Sequence, residues 1–442
     1  MTSLHERLAD LAEDARPGAP TQDVWERGRR WHRRRQTGSL AIVAAMFLAC
    51  VGLGWQAWDR SATHDAVLPA GSRAALPDRV WTPSPTLPGT DSVGPLGRVA
   101  IVVMAERAGW FGSELRPLAI SAESGNYAFL DLPRWGTDAA LSPDGGHVAY
   151  WRAGTPSGSP PAEGEAITGF AVYDTATGEV RGQEVPTVHG LTPDRLVWAD
   201  GVTLVAEFGQ LMGGRGDSDM DQSSSRSAPL WVWNLDESGA VVDQRLTDAG
   251  VNGIEGGGHG LLWWSADQGG FHVVDVDRPQ DGVRTIDLES GSGAYVAAVD
   301  ASGLRAANVP GNKNPSSVAW ASATTSQVRV RGTSRTFRVL AWLDETRLLI
   351  VRGADDALSH EGYRPGLAIV DVQTGGPVEV TRGDQLTLLG DNHVAWELAT
   401  EPTFDAVEPP TPVDRRVWLA LGLSVVVLGG TSLAQWRRRV VA

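Results

Sequence analysis

The stretch LSPDGGHVAYW, residues 141–151, welds a tight reversal to a strand, and the arrangement returns along the chain. Ser142, Pro143, Asp144 and Gly145 are turn formers, whereas Val148, Tyr150 and Trp151 favour a pleated sheet. LTPDRLVWADGVTLVAEF at 191–208, VDASGLRAANV at 299–309, AWLDETRLLIV at 341–351 and LGDNHVAWEL at 389–398 repeat the scheme of a turn containing Asp followed by an apolar strand. A second unit alternates with the first: AVYDTATGEV at 171–180, WVWNLDESGAV at 231–241, HVVDVDRPQDG at 272–282 and AIVDVQTGGPV at 368–378. Each is a short strand, an Asp or Asn, and a turn usually ending in Gly, which is a hairpin signature. Paired strands recurring every ~40–60 residues are the spacing of propeller blades and not of helical solenoids.

LSPDGGHVAY closely resembles the SPDG repeat of TolB-like and WD-repeat-like β-propellers, and VYDTATGE resembles the outer hairpin of the same blades. The resemblance spans residues 98–398. It implies an all-β fold, a β-propeller, and the strands counted along the chain give six blades, with seven as the alternative. Pairing 393–398 with the early strands at 99–105, 115–120 and 126–131 would close the ring and remove the sheet edges that invite aggregation.

Two flanking runs, 38–55 and 417–435, contain no charged residue and approach the ~20 residues needed to cross a bilayer. Arg29, Arg30, Arg33, Arg34 and Arg35 precede the first run and Arg437, Arg438 and Arg439 follow the second, so both termini are expected to be cytoplasmic. Trp55, Trp58, Trp418 and Trp436 stand where indoles prefer the headgroup layer. The expected organisation is a cytoplasmic head at 1–37, a transmembrane helix at 38–57, a Pro/Ser/Gly-rich stalk at 58–97, an extracytoplasmic propeller at 98–398, a linker at 399–416, a second transmembrane helix at 417–435 and a basic tail at 436–442. The segments 1–38 and 415–442 carry +2 and +5, leaving −22 for the residues between them out of a net −15. So acidic an exterior argues against nucleic acid as a ligand. Cys50 is the single cysteine, which excludes an intrachain disulfide and a cysteine-based zinc site.

No Gly-x-Ser-x-Gly elbow, His-Glu-x-x-His helix or P-loop is present. Among eighteen tryptophans, Trp151, Trp198, Trp231, Trp233, Trp263, Trp264, Trp320, Trp342 and Trp396 fall in or beside expected strands, where they wedge between blades. Trp263 and Trp264 are neighbours and must point to opposite faces, so one of them is expected at the surface. His259, in GGGHG, reads as part of a flexible connector between strands. The insertion 213–227 places Asp217, Asp219 and Asp221 at the alternate spacing of a Ca²⁺ loop, but Gln222 and Ala228 stand where such a loop needs Gly and a bidentate Glu, so a polar loop is the favoured reading. In the head, Leu4, Leu8 and Leu11 form one helical stripe behind a Ser3–Glu6 capping box, a surface for a partner or for the membrane.

The head followed by a span resembles the membrane proteins of high-GC bacteria that accompany extracytoplasmic-function sigma factors, without the zinc-binding His-x-x-x-Cys-x-x-Cys of many anti-sigma factors. The expected function is that of a non-enzymatic, membrane-anchored binding or sensor module. Its propeller would recognise an extracytoplasmic protein or envelope ligand, and its head would regulate a cytoplasmic sigma factor. The alternatives are an envelope scaffold and a hydrolase or lyase using the propeller pocket.

Overall fold

The computed structural model describes residues 74–412 and Ser424, except 110–111, 159, 161–164, 212–228, 252, 266–269, 289–294, 310–317, 323–324, 335, 354–364, 384–385 and 387–392. The head and both apolar runs lie outside the described residues, Ser424 apart. Among the described residues no helix is long and apolar enough to cross a membrane.

The strands run in the order β1 (Val99–Gly109), β2 (Gly112–Ser121), β3 (Tyr127–Phe129), β4 (Trp135–Leu141), β5 (His147–Ala153), β6 (Ile167–Asp174), β7 (Val180–Glu184), β8 (Leu191–Trp198), β9 (Thr203–Gln210), β10 (Trp231–Asn234) and β11 (Val241–Val242). They continue as β12 (Ile254–Gly258), β13 (Leu261–Ser265), β14 (Phe271–Asp275), β15 (Arg284–Ile286), β16 (Tyr295–Val299), β17 (Arg305–Val309), β18 (Ala319–Ser322), β19 (Thr325–Arg329), β20 (Thr336–Trp342), β21 (Arg347–Arg352), β22 (Gly366–Asp371) and β23 (Val378–Arg382). Each pairs antiparallel with the next inside a meander: β4–β7, β8–β11, β12–β15, β16–β19 and β20–β23 are blades 2 to 6. Among the described residues, one strand pairing joins blades 2 and 3, that of Ile167 with Leu191. The first sheet, β1–β3, takes its fourth strand from the other end of the chain, where Val394 pairs antiparallel with Ile101 and the Ala395 N–H donates to the Ala100 carbonyl at 2.9 Å. Among the described residues the blades therefore number six, the first closed by the strand the sequence pointed to.

The apolar contacts confirm the circular order. Leu141 and Tyr150 of blade 2 pack with Val103 and Leu118 of blade 1. Trp151 and Phe170 of blade 2 meet Trp198, Phe208 and Trp233 of blade 3. Val205, Leu262 and Trp264 share one cluster across blades 3 and 4, Trp263, Val299 and Ala306 another across blades 4 and 5, and Ala307, Trp342 and Ile350 a third across blades 5 and 6. Leu349 and Val351 of blade 6 then return to the cluster of blade 1. A sheet clasped on both faces buries side chains of either parity, so β9 is buried from Thr203 to Gly209. This corrects the expectation for Trp263 and Trp264: they do point oppositely, but each meets a different neighbouring blade and both are 5% exposed.

The repeated Asp is an Asx-turn. The side chains of Asp200, Asp300 and Asp344 each accept two backbone N–H bonds in the turn after the innermost strand, and Asp144 accepts from Gly146 in the same place. Asp174, Asp275 and Asp371 do the same between the third and outer strands, with Asn234 as the fourth case. Blade 4 replaces the first of these turns by His259-Gly260, with φ of 56° and 78°, the two positive angles of a two-residue type I′ hairpin. The connector expected to be flexible is a tight turn. The fifth sequence copy, at 389–398, is not a hairpin: its described residues are the closing strand followed by a 3₁₀ turn, Trp396–Thr400.

The Pro-rich segment expected as a free stalk is extended, but from residue 74 it is built into the ring. Leu76, Val80 and Leu87 are buried. Arg79 bridges Arg382 on the outer strand of blade 6 and Gly89 bridges Phe129 on that of blade 1, so the segment straps the seam where the ring closes. The linker joins it: Pro77 bridges Phe404, the Ala406 N–H donates to Asp78 at 2.7 Å, and Thr86 Oγ1 donates to the Pro412 carbonyl at 2.7 Å.

One inter-blade bond occurs twice, three blades apart. The indole N–H of Trp198 donates to the Ala140 carbonyl of the preceding inner strand, and that of Trp342 to the Ala298 carbonyl, both at 2.9 Å. Trp198→Phe and Trp342→Phe should each lower stability by about 1–3 kcal/mol, with additive effects in the double variant, because each strands a buried carbonyl and the sites share no partner. Urea unfolding midpoints check this; non-additivity would place the two sites in one coupled network.

Candidate functional site

An antiparallel meander sends alternate connections to opposite faces, and here the two faces differ. The turns leaving the inner strands (142–146, 199–202, 259–260, 300–304 and 343–346) are all short. The connections between second and third strands run over 154–166, 211–230, 310–318 and 353–365 in blades 2, 3, 5 and 6. The long connections therefore share one face. Long loops on a rigid scaffold are where binding surfaces are built.

The inner strands surround an axis whose short-turn end is blocked. Trp396 is carried by the closing segment of blade 1 and is 8% exposed. Its ring lies 4.7 Å from that of His259 on blade 4, and a Cβ on Gly258 would stand 3.4 Å from it. His259 Nε2 in turn pairs with the Trp342 carbonyl of blade 6 at 3.0 Å, and the Glu397 N–H donates to the Pro143 carbonyl of blade 2. Blades 2, 4 and 6 alternate around the ring, so groups that join them lie on the axis. The axis therefore has a floor at this end, and its other end, the mouth, lies on the long-loop face.

Toward the mouth the inner strands bulge. Register shifts fall between Trp135 and Ala139, Pro193 and Arg195, Ile254 and Gly256, Tyr295 and Ala298, and Thr336 and Arg338. A bulge leaves a residue out of the ladder and re-aims its side chain. The positions so released include Asp138, Asp194, Glu255 and Phe337, and Asp138 holds a φ of 49°. Glu255 bonds Ser265 through one carboxylate oxygen. Behind them Glu207, 4% exposed, accepts the N–H groups of Gly253 and Ile254 at 2.7 Å each and so pins the start of blade 4's inner strand to blade 3. Burial pushes its carboxyl above the usual range, against those two bonds.

His393 stands between Asp138 of blade 2 and Arg338 of blade 6. Burial drives its imidazole down to about 4; Arg338 adds to that, while Asp138 and a hydrogen bond with the Ala139 backbone oppose it. At the floor Glu397 is raised by burial and by Asp144 and Asp200, with Arg98 opposing. A neutral imidazole is thus held between Asp138 and Arg338 at the ends of the inner strands of blades 2 and 6.

Asp217, Asp219 and Asp221 lie outside the described residues, in the connection between β9 and β10, as do Leu4, Leu8 and Leu11 in the head. Among the described residues no group of three His, Cys, Asp or Glu side chains could hold a metal ion. Of the strand tryptophans, Trp151, Trp198, Trp233, Trp263, Trp264, Trp342 and Trp396 are buried, while Trp231 and Trp320 are half-buried against the inter-blade clusters. Sequence reasoning missed Asp138, Glu207, Arg338 and His393. The one available signal was the place of His393, immediately before the expected closing strand.

No protein-family model matches the chain, and no curated protein matches it. Solved structures with similarity include TolB from Acinetobacter baumannii, at 15% identity and a TM-score of 0.38, covering 66% of each chain. An oligogalacturonate lyase from Vibrio parahaemolyticus is similar at 10% identity and a TM-score of 0.37, covering 61% of this chain and 71% of that one. A putative TolB from Agrobacterium tumefaciens aligns at 10% identity and a TM-score of 0.34, covering 55% and 79%. The six-bladed ring stands on its own strand pairing.

His393 gives a pH prediction. Its folded pKa is depressed from 6.5 to about 4, so the stability it contributes is present above 6.5 and is lost as pH falls through that window. Relative to His393→Gln, the native protein should lose about 3 kcal/mol between these limits. Urea unfolding of both proteins across the range measures it; parallel pH profiles would overturn the assignment.

Proposed function

We propose that this chain is a binding propeller held at a membrane by both of its ends, taking its ligand at the mouth of the axial channel. The observation that carries the reading is the asymmetry of the ring: one face is tight turns around a blocked axis, and the other combines long connections with the bulged ends of the inner strands, where Asp138, Asp194 and Glu255 leave the ladders. A propeller used in this way is a recognition module and not a catalyst.

The flanks support attachment at two points. Leu76 to Thr86 and Phe404 to Pro412 pair with one another, so the chain enters and leaves the ring side by side. Runs 38–55 and 417–435 then serve as the anchors, with arginines on their inner flanks. In this reading the propeller faces the extracytoplasmic space, binds an envelope protein or ligand there, and the stripe Leu4, Leu8 and Leu11 meets a cytoplasmic regulator such as a sigma factor.

The test is affinity capture with full-length protein from detergent-solubilised membranes, using three forms: native, Asp194→Arg with Phe337→Asp at the mouth, and a deletion of residues 1–35. The mouth variant should lose an envelope partner that the head deletion keeps, and the head deletion should lose a cytoplasmic partner that the mouth variant keeps. Retention of the same partners by all three forms would overturn the proposal.

A further inference from the structure

The plug and the chain's exit are parts of one short segment. Val394 and Ala395 close blade 1, Trp396 blocks the axis, and Leu398 and Ala399 are buried in the 3₁₀ turn that follows. Within that turn the Leu398 N–H donates to Ala395, the Glu401 N–H to Leu398, and Thr400 Oγ1 to the Glu397 carbonyl. The Phe404 N–H then donates to Leu76, the Asp78 N–H to Phe404, the Ala406 N–H to the Asp78 carboxylate, and Thr86 Oγ1 to Pro412. Phe404 also sits against Gly125, where a Cβ would come within 3.0 Å of its ring. From Ala395 to Ala406 the segment is therefore tied at repeated points to itself, to the ring and to residues 76–78, and Thr86 ties it again at Pro412.

We propose that residues 393–412 form a strap coupling the channel floor to the C-terminal exit. Loosening the clasp between 400–412 and 75–86 withdraws Trp396 from His259 and opens the short-turn end of the channel, and an occupant that displaces Trp396 loosens the clasp. The coupling gives the ring a way to pass a binding event to the point where the chain leaves it. It holds whatever ligand the channel takes, so it stands or falls separately from the proposed function.

Hydrogen exchange on the full chain in detergent tests it from both ends. Asp78→Ala with Thr86→Val removes two clasp bonds without touching Trp396. Exchange at the Ala395 amide and at the Gly260 amide in the turn beside Trp396, which donate to Ala100 and Ala199, should then rise roughly tenfold, while amides of blades 4 and 5 away from that turn, such as Val273 and Ala306, keep their rates. Reciprocally, Trp396→Ala should raise exchange at Phe404 and Ala406 by a comparable factor, and Trp396→Phe supplies a milder change if the alanine variant does not fold. Changes confined to the altered end in either direction would overturn the coupling, and so would a uniform rise across blades 4 and 5, which reports global opening and not a path along the strap.

Discussion

The pairing of Val394 with Ile101 is the contact on which the remaining structure depends. It joins positions about 290 residues apart, and a loop of that length costs on the order of 5 kcal/mol to close. Without it the first sheet ends at β1 with an unpaired edge, and a propeller with an open seam is a curved stack with sticky ends. The seam is correspondingly reinforced. Val99 donates to Gly145, whose positive φ and close approach admit no side chain: a Cβ there would lie 2.2 Å from the Val99 carbonyl. On the outside, the segment 75–89 bridges the outer strands of blades 6 and 1, and the linker pairs with that segment.

Closure by the chain's own end has a functional consequence. The residues that follow the closing strand fall at the axis, so the segment that completes the ring also blocks one end of its channel. What is left is a mouth on the opposite face, where the inner strands bulge and the long connections emerge. Charges there serve position: the buried Glu207 carboxylate is spent on two backbone amides of the next blade, and the exposed Asp138 and half-buried Arg338 bracket a His393 held neutral by burial.

Much of the ring was legible because its repeats have a local cause. An Asp that caps its own turn must recur wherever that turn recurs, and Asp144, Asp200, Asp300 and Asp344 mark four of the inner hairpins. Blade 4 escaped because a type I′ turn needs positive φ and no Asp, a demand that His259-Gly260 meets with a different signature. Trp263 and Trp264 were misplaced by treating a strand as half-buried, when a blade is covered on both sides. The segment 74–97 was misread because proline-rich sequence is extended both in a free stalk and along a sheet edge, and composition does not distinguish them. The channel residues were illegible for a different reason: Asp138, Arg338 and His393 lie on three blades and meet only after closure, and Asp138 owes its place to a bulge that leaves no trace in a hydrophobic pattern.

The most direct test of the closed ring is a disulfide across its seam. Ile101→Cys with Val394→Cys, in a chain whose Cys50 is replaced by serine, puts two thiols at directly paired positions of an antiparallel bridge, within the reach of a disulfide. The bond should form on mild oxidation, shift the gel mobility of the unreduced protein and raise its unfolding midpoint. Two thiols that stay free in a folded protein would contradict six-bladed closure at this strand.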